Sequence, residues 1–307
     1  MNGLVVKNTG SWYHVMYKVN VVVACKMKGN LRLQEIKSTN PIAVGDLVNF
    51  ELNSDGTGVI YEICERRNYI VRRSTNLSKQ AHILAANIDL VVLVATINYP
   101  ATSLMFIDRF LASAEAYGVK ACLVFNKIDL YNSEELKYLA AVQFLYEHLG
   151  YDVFKLSAHQ PDSLIELINF LHSKTSLFSG NSGVGKSTLI NYIAPTSFAK
   201  TAEISTYHNK GMHTTTFSEM FQLKHGGSVI DTPGIKGFGV IDMVDTEIGH
   251  YFKEIFQASK RCRFSNCTHT NEPNCHVLYE VENHTISASR YQSYLSMLTD
   301  NEHGKYR

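Results

Sequence analysis

Long apolar runs are missing from this 307-residue chain. The apolar stretch Val19–Cys25 is only strand-length, which argues against a membrane span, and no N-terminal segment has the build of an export signal. Cysteine is scarce. Six residues without an export signal argue for reduced thiols, metal ligands or buried packing rather than disulfides, with a cytoplasmic location as the expectation. Net charge is nearly absent too, and a value of +1 says nothing about partners because opposite local charges cancel. Internal repeats and low-complexity tracts are also lacking, so a repeat architecture is excluded. What remains is 45% apolar and 19% charged, the balance of an ordinary globular protein, in a chain long enough for two or three domains.

The first seventy or so residues read as short strands, for instance Tyr17–Val23 and Leu47–Leu52, separated by turn signals at Lys28-Gly29-Asn30, Val44-Gly45-Asp46 and Ser54-Asp55-Gly56. Five or so strands in this length suggest a small barrel of the OB type. Residues 1–73 carry ten Lys or Arg against six acids, a local net of +4, with Trp12, Tyr13 and Tyr17 close by. Two readings stand side by side: an RNA-binding face, or a barrel whose aromatics are core and whose lysines only solvate it.

From about residue 75 the pattern becomes α/β. Asp89–Thr96, Ala121–Phe125, Val153–Ser157 and Ser228–Ile230 read as buried parallel strands, and Ile107–Tyr117 and Glu134–Leu149 as amphipathic helices. Two motifs in this region carry chemistry. Gly180-Asn181-Ser182-Gly183-Val184-Gly185-Lys186-Ser187 is a phosphate-binding loop, in which glycines let successive backbone N–H groups turn toward phosphates at the start of a helix. Lys186 is then expected on the β and γ phosphates and Ser187 on Mg²⁺, with Thr188 completing the string. About fifty residues earlier stands Asn126-Lys127-Ile128-Asp129, the guanine reader of GTPases. The Asp129 carboxylate accepts from the two adjacent N–H donors of guanine and repels the adenine edge. Asn126 would support the loop, Lys127 would lie along the base plane, and Ser157-Ala158 matches the loop whose N–H contacts guanine O6.

The order is unusual. In an ordinary GTPase the phosphate loop precedes the base reader, whereas here it follows, and Asp231-Thr232-Pro233-Gly234 comes after both. The same parts in rotated order predict a circularly permuted GTPase domain. Asp231 is expected to bind Mg²⁺ through water, Gly234 N–H to sense the γ-phosphate, and Thr214 or Thr215 to close on both. One absence matters here as well. The glutamine that orients attacking water just after Asp-x-x-Gly in many GTPases is replaced by Ile235, whose alkyl chain cannot position water. Unassisted hydrolysis should be slow, and a partner or a displaced residue must complete the site. His213 is the nearest candidate by motif, a structural switch residue being the alternative.

Beyond residue 240, Cys262, Cys267, His269 and Cys275 offer three thiolates and an imidazole within fourteen residues. This is a closed tetrahedral set for structural Zn²⁺, with no position left for catalytic water. Cys25, Cys64 and Cys122 lie in apolar strand contexts and read as packing. A basic clump, Lys260-Arg261-Cys262-Arg263, and a terminal helix around Arg290–Leu298 complete the segment.

The combination resembles the ribosome small subunit-dependent GTPase A family of bacteria nearly end to end. The resemblance is carried by Val44-Gly45-Asp46, Arg72-Arg73, Asn126 to Asp129, Gly180 to Thr188, His213-Thr214-Thr215, Asp231 to Gly234, and the Cys/His set with Glu272-Pro273. It implies a multidomain fold: an N-terminal all-β OB-type barrel over 1–72, a central permuted α/β P-loop GTPase domain over 73–240, and a C-terminal zinc-binding, mostly helical and loop domain over 241–307. It also implies a monomeric late assembly factor that binds rRNA and hydrolyses GTP with stimulation from the small ribosomal subunit. A GTP-gated rRNA-binding module with incidental turnover is the alternative. Met212 departs from the basic residue usual before His-Thr-Thr, and Asn274 and His276 from the small residues beside the last cysteine.

Overall fold

The computed structural model describes residues 1–18, 21–29, 41–73, 81–194, 196–197, 218–224, 226–231 and 243–304. Five strands open the chain: β1 (Asn2–Asn8), β2 (Tyr13–Lys18), β3 (Val21–Met27), β4 (Leu47–Leu52) and β5 (Gly58–Ile63). β1 pairs with β2, β2 with β3, β3 in parallel with β5, β5 with β4, and β4 back with β1. The ring closes, so it leaves no edge strand, as the barrel reading expected. Alternate residues point inward, and Val5, Val15, Val23, Val48, Phe50 and Ile60 fill the centre.

One strand expectation is corrected. Tyr17–Val23 is not continuous: the chain reverses inside it, with Lys18 ending β2 opposite Val21, which begins β3. Apolar residues on the two paired strands read as a single run in the sequence. The aromatics divide mostly in favour of core. Tyr13 is buried and Tyr17 packs edge-on against Phe50 at 5.5 Å, whereas Trp12 lies under the Lys26 ammonium, 4.6 Å from the ring centre. Asp46, fully buried, is held by Arg66 at 2.6 Å and by the Ala43 N–H at 2.8 Å.

A two-stranded ribbon follows, β6 (Tyr69–Arg73) against β7 (Ala81–Ala86). The α/β unit then runs β8 (Leu90–Ala95), α1 (Leu104–Ala116), β9 (Lys120–Phe125), α2 (Ser133–His148), β10 (Asp152–Lys155), α3 (Ile165–Leu171), β11 (Thr175–Ser179), α4 (Lys186–Ile193), β12 (Thr196–Ser197), β13 (Glu219–Gln222) and β14 (Ser228–Asp231). The strands order as β10-β9-β8-β11-β14-β13, parallel except for β13. β8 shows why its sequence is apolar without interruption. Val91, Leu93 and Ala95 enter the core beneath α1 and α2, while Leu90, Val92 and Val94 enter the opposite core beneath α3 and α4. The phosphate-loop strand β11 sits between β8 and β14, although β8 and β9 precede it in the chain. That is the rotated arrangement expected from the motif order.

The barrel joins this sheet edge through β1 and β13, where Lys7 stands opposite Glu219 and pairs with it at 3.2 Å. The last region is helical: α5 (Asp245–Ile248), α6 (Lys253–Ser259), α7 (His276–Glu282) and α8 (Ala288–Gly304). Its core of Ile248, Phe252, Ile255, Val277 and Tyr294 includes Ala112 of α1. Beside it lies a buried charge network that fixes α8 to the α/β unit. Arg290 donates to Asp108 of α1 at 2.9 Å and to both oxygens of Glu254 at 2.7 and 3.1 Å. Asp108 also accepts from Tyr146 of α2 at 2.7 Å and Ser293 at 2.6 Å. Among the described residues, no helix is long and apolar enough to cross a membrane.

Candidate nucleotide site and metal centre

In an open parallel sheet, ligands lie beyond the carboxyl ends of strands where the winding changes direction. Here that point falls between β8 and β11. The loop leaving β11 is built around glycine geometry. Gly180 has φ +153° and Gly185 φ +89°; a Cβ on Gly180 would come within 2.4 Å of the Val94 carbonyl, and one on Gly185 within 2.3 Å of Asn126 Nδ2. Only glycine lets this loop lie so close to its neighbours. Gly185 is the cap of α4, so the positive end of that helix opens into the same space.

Asn126, buried at the end of β9, holds three strands' loops together. Its Nδ2 donates to the Val184 carbonyl at 2.9 Å and its Oδ1 accepts from the Ala158 N–H at 3.0 Å. Lys127 reaches across to the carbonyls of Gly183 at 2.6 Å and Tyr99 at 2.5 Å. Asp129 and Ser182 are exposed, with Ile128 and Asn181 half-buried, so the Asp129 carboxylate is open to solvent on a loop anchored through Asn126. Ser157 is buried beside Ala158. The Ala158 N–H, matched in the sequence to guanine O6, is turned here toward Asn126 Oδ1. Lys186 forms an ion pair with Asp231 at the end of β14, so the lysine and the acid that the sequence assigned to phosphate and Mg²⁺ stand at one point. Ser187 and Thr188 are exposed on the first turn of α4. His213, Thr214, Thr215 and Gly234 lie outside the described residues.

The donor chemistry fits a nucleoside triphosphate with Mg²⁺. Lys186 offers a cation, Ser187 and Asp231 offer hard oxygens of the kind Mg²⁺ takes, and Asp129 offers an exposed carboxylate. The sequence did not reveal the supporting groups: Tyr131, whose hydroxyl bonds the Asn126 carbonyl at 2.6 Å, and the Tyr99 carbonyl. An aromatic two positions after the base-reading aspartate was the available signal for the first.

The second centre is compact. The ligand atoms of Cys262, Cys267, His269 and Cys275 all lie within 4.8 Å of one another. The sulfur–sulfur separations of 3.8 and 3.7 Å are far too long for disulfides, and the sulfur–Nδ1 separations are 3.7 and 3.4 Å. They match the edges of a tetrahedron with metal–sulfur bonds of about 2.3 Å. The group therefore fits a tetrahedral metal ion. Burial pushes the Cys267 thiol up to about 12, raises Cys275 as well, and favours neutral His269. A metal must displace those thiol protons on binding. Glu272, quoted in the sequence only as part of a string, shapes the loop by accepting from the Thr268 N–H at 2.5 Å, Thr268 Oγ1 at 2.7 Å and the Thr270 N–H at 2.9 Å.

With this geometry in place, comparison with known proteins is decisive. Residues 63–241 match the RsgA GTPase family and residues 2–60 the RsgA N-terminal domain. The chain belongs to the RsgA GTPase family. A curated relative from Bacteroides thetaiotaomicron, named small ribosomal subunit biogenesis GTPase RsgA 2, is 61% identical over 100% of this chain and 99% of its own. The small ribosomal subunit biogenesis GTPase RsgA of Phocaeicola vulgatus is 59% identical over the same shares. Among solved structures, YjeQ from Thermotoga maritima superposes with a TM-score of 0.78 at 34% identity, covering 98% of each chain. YloQ, described as a circularly permuted GTPase, gives 0.75 at 31% identity, covering 100% of this chain and 96% of its own. The permuted RsgA fold is thus reached independently from motif order and strand order.

Proposed function

We propose that this RsgA-family GTPase binds the small ribosomal subunit and acts in its late maturation, hydrolysing GTP to GDP and phosphate with stimulation by the subunit. The observation that carries the nucleotide half of this reading is the direct tethering of the base-reading loop to the phosphate loop by Asn126 and Lys127. The names of full-length relatives at 61% and 59% identity support the ribosomal half.

In this reading Asp129 selects guanine, with Asn126, Lys127, Ile128, Ser157 and Ala158 around the base. Gly180, Asn181, Ser182, Gly183, Val184, Gly185 and Thr188 form the phosphate cradle. Lys186 neutralises charge developing between the β and γ phosphates. Ser187, Asp231 and Thr214 or Thr215 hold Mg²⁺, which when bound bridges the phosphates, and Gly234 senses the γ-phosphate. Zn²⁺ is the metal proposed for Cys262, Cys267, His269 and Cys275, in a structural role. The domain boundaries are placed near residues 72 and 240, and the protein is proposed to be a cytoplasmic monomer. Trp12 and Lys26 on the barrel, and the basic clump at residues 260–263, are the surfaces proposed to meet rRNA.

Ile235 favours a second reading, in which nucleotide occupancy gates RNA binding and turnover is incidental. Where nucleotide state gates subunit binding, linkage is reciprocal, and GTP should tighten subunit binding relative to GDP. Binding of purified small subunits to the GTP-analogue and GDP forms tests it. Salt should weaken the complex, as phosphate contacts require, and equal affinity for the two forms would remove the coupling.

A further inference from the structure

Three consecutive residues beyond β8 reach across to the base-reading segment. The Ile97 N–H donates to the Tyr131 hydroxyl at 2.9 Å, Asn98 Nδ2 donates to Glu135 Oε1 at 2.9 Å, and the Tyr99 carbonyl accepts from Lys127 Nζ at 2.5 Å. The Tyr131 hydroxyl in turn donates a hydrogen bond to the Asn126 carbonyl at 2.6 Å. One phenol oxygen therefore stands between the end of β8 and the first residue of Asn-Lys-x-Asp, accepting on one side and donating on the other. The ring beneath it is buried in the core shared by β8, α1 and α2. Burial raises the pKa of this phenol above its ordinary value, so the hydroxyl stays protonated and remains a donor.

The pinned carbonyl has a special place in the chain. It belongs to the peptide that sets φ of Lys127, and Lys127 holds φ +65°, a left-handed conformation uncommon for a residue with a long side chain. Such a backbone persists only where its surroundings over-determine it. Tyr131 supplies one constraint through the peptide, and the Tyr99 and Gly183 carbonyls supply two more through the ammonium.

We propose that Tyr131 is a positioning residue for guanine recognition, its hydroxyl pinning the Asn126 carbonyl to the end of β8 so that the Asn126–Asp129 loop keeps its base-reading shape. The proposal rests on the guanine-nucleotide reading of the site. Tyr131 acts through Asn126 and Lys127, and its effect belongs to the base rather than to the phosphates.

The test compares wild type with Tyr131→Phe, measuring dissociation constants for GDP and for inorganic tripolyphosphate, alongside the thermal midpoint. Phenylalanine keeps the ring in the core and removes the oxygen that serves the Asn126 carbonyl and the Ile97 N–H. GDP binding should weaken about ten-fold, the scale of buried polar groups losing a partner, with tripolyphosphate binding unchanged. Equal losses for both ligands, or no loss of GDP, would overturn the positioning role. Failure of wild type itself to bind GDP would instead overturn the guanine reading on which it rests. If Tyr131→Phe does not fold, Asn98→Ala cuts the neighbouring tie of the same loop. It should weaken GDP about three-fold and spare tripolyphosphate. An Asn98→Ala protein with wild-type GDP affinity would then overturn the proposal.

Discussion

The nucleotide crevice and the Cys/His centre are built on opposite plans. The metal centre draws its four ligands from one short loop, residues 262–275, closed on itself by Glu272. The crevice draws Tyr99, Asn126, Ala158, Gly183 and Asp231 from beyond the ends of five strands, and its described loops are tied to one another across them. A local site answers to its ligand. A distributed site answers to the whole sheet, so single residues there alter chemistry while the fold persists. The C-terminal region that carries the metal centre is tied to the α/β unit along α1, where Arg290 meets Asp108 and Lys253 meets Glu115.

Metal removal should have the largest effect and the most confined one. Ligand sets of this kind contribute roughly 10–16 kcal/mol in small zinc peptides. Chelation, or Cys262→Ser, is expected to raise amide hydrogen exchange after residue 240 while GDP still binds. Metal analysis of fresh protein should find one zinc per chain, and finding none would break the comparison at its first term.

Next is Asp129→Asn, which sets an amide N–H against guanine N–H. Discrimination by buried hydrogen-bonding sites reaches on the order of 10⁴-fold, so GTP affinity should fall steeply and preference should move to xanthosine nucleotides. Unchanged GTP affinity would remove Asp129 from the base. Third is the joint itself. Arg290→Met strips a buried cation from two carboxylates, and breaking such a pair from one side costs about 3–5 kcal/mol. Denaturant unfolding should show that loss, with GDP affinity retained in the folded protein; a stability equal to wild type would mean the joint is not structural. Smallest is Lys186→Ala. Loss of one preorganised charge donor lowers turnover about 10²–10³-fold, with a native-like unfolding curve. Normal turnover would contradict its role at the phosphates.

The sequence was most readable where function depends on identity and spacing. The phosphate loop, Asn126 to Asp129 and the Cys/His set stand in short strings, and their order alone implied the permutation. The uninterrupted apolar run of β8 likewise announced a strand covered on both faces. Less was legible where long-range pairing decides. Arg290 looks like any helix-surface base near the end of the chain, yet it is buried because Asp108 and Glu254 arrive from far away. Tyr131 looks like core, which its ring is, and only the assembled loops reveal the work of its oxygen. The break in Tyr17–Val23 was missed because apolar residues stand on both sides of it and no glycine or proline marks a turn between Lys18 and Val21.

The central claim is that this crevice is an enzyme site completed by the ribosomal subunit, and the direct measurement is GTP turnover titrated with small subunits. Slow turnover alone, following from Ile235, should rise on saturation by a large factor, ~10³–10⁵ where a partner supplies transition-state stabilisation. Turnover that stays at its unassisted rate with subunits demonstrably bound would contradict the account and leave a GTP-gated RNA-binding module.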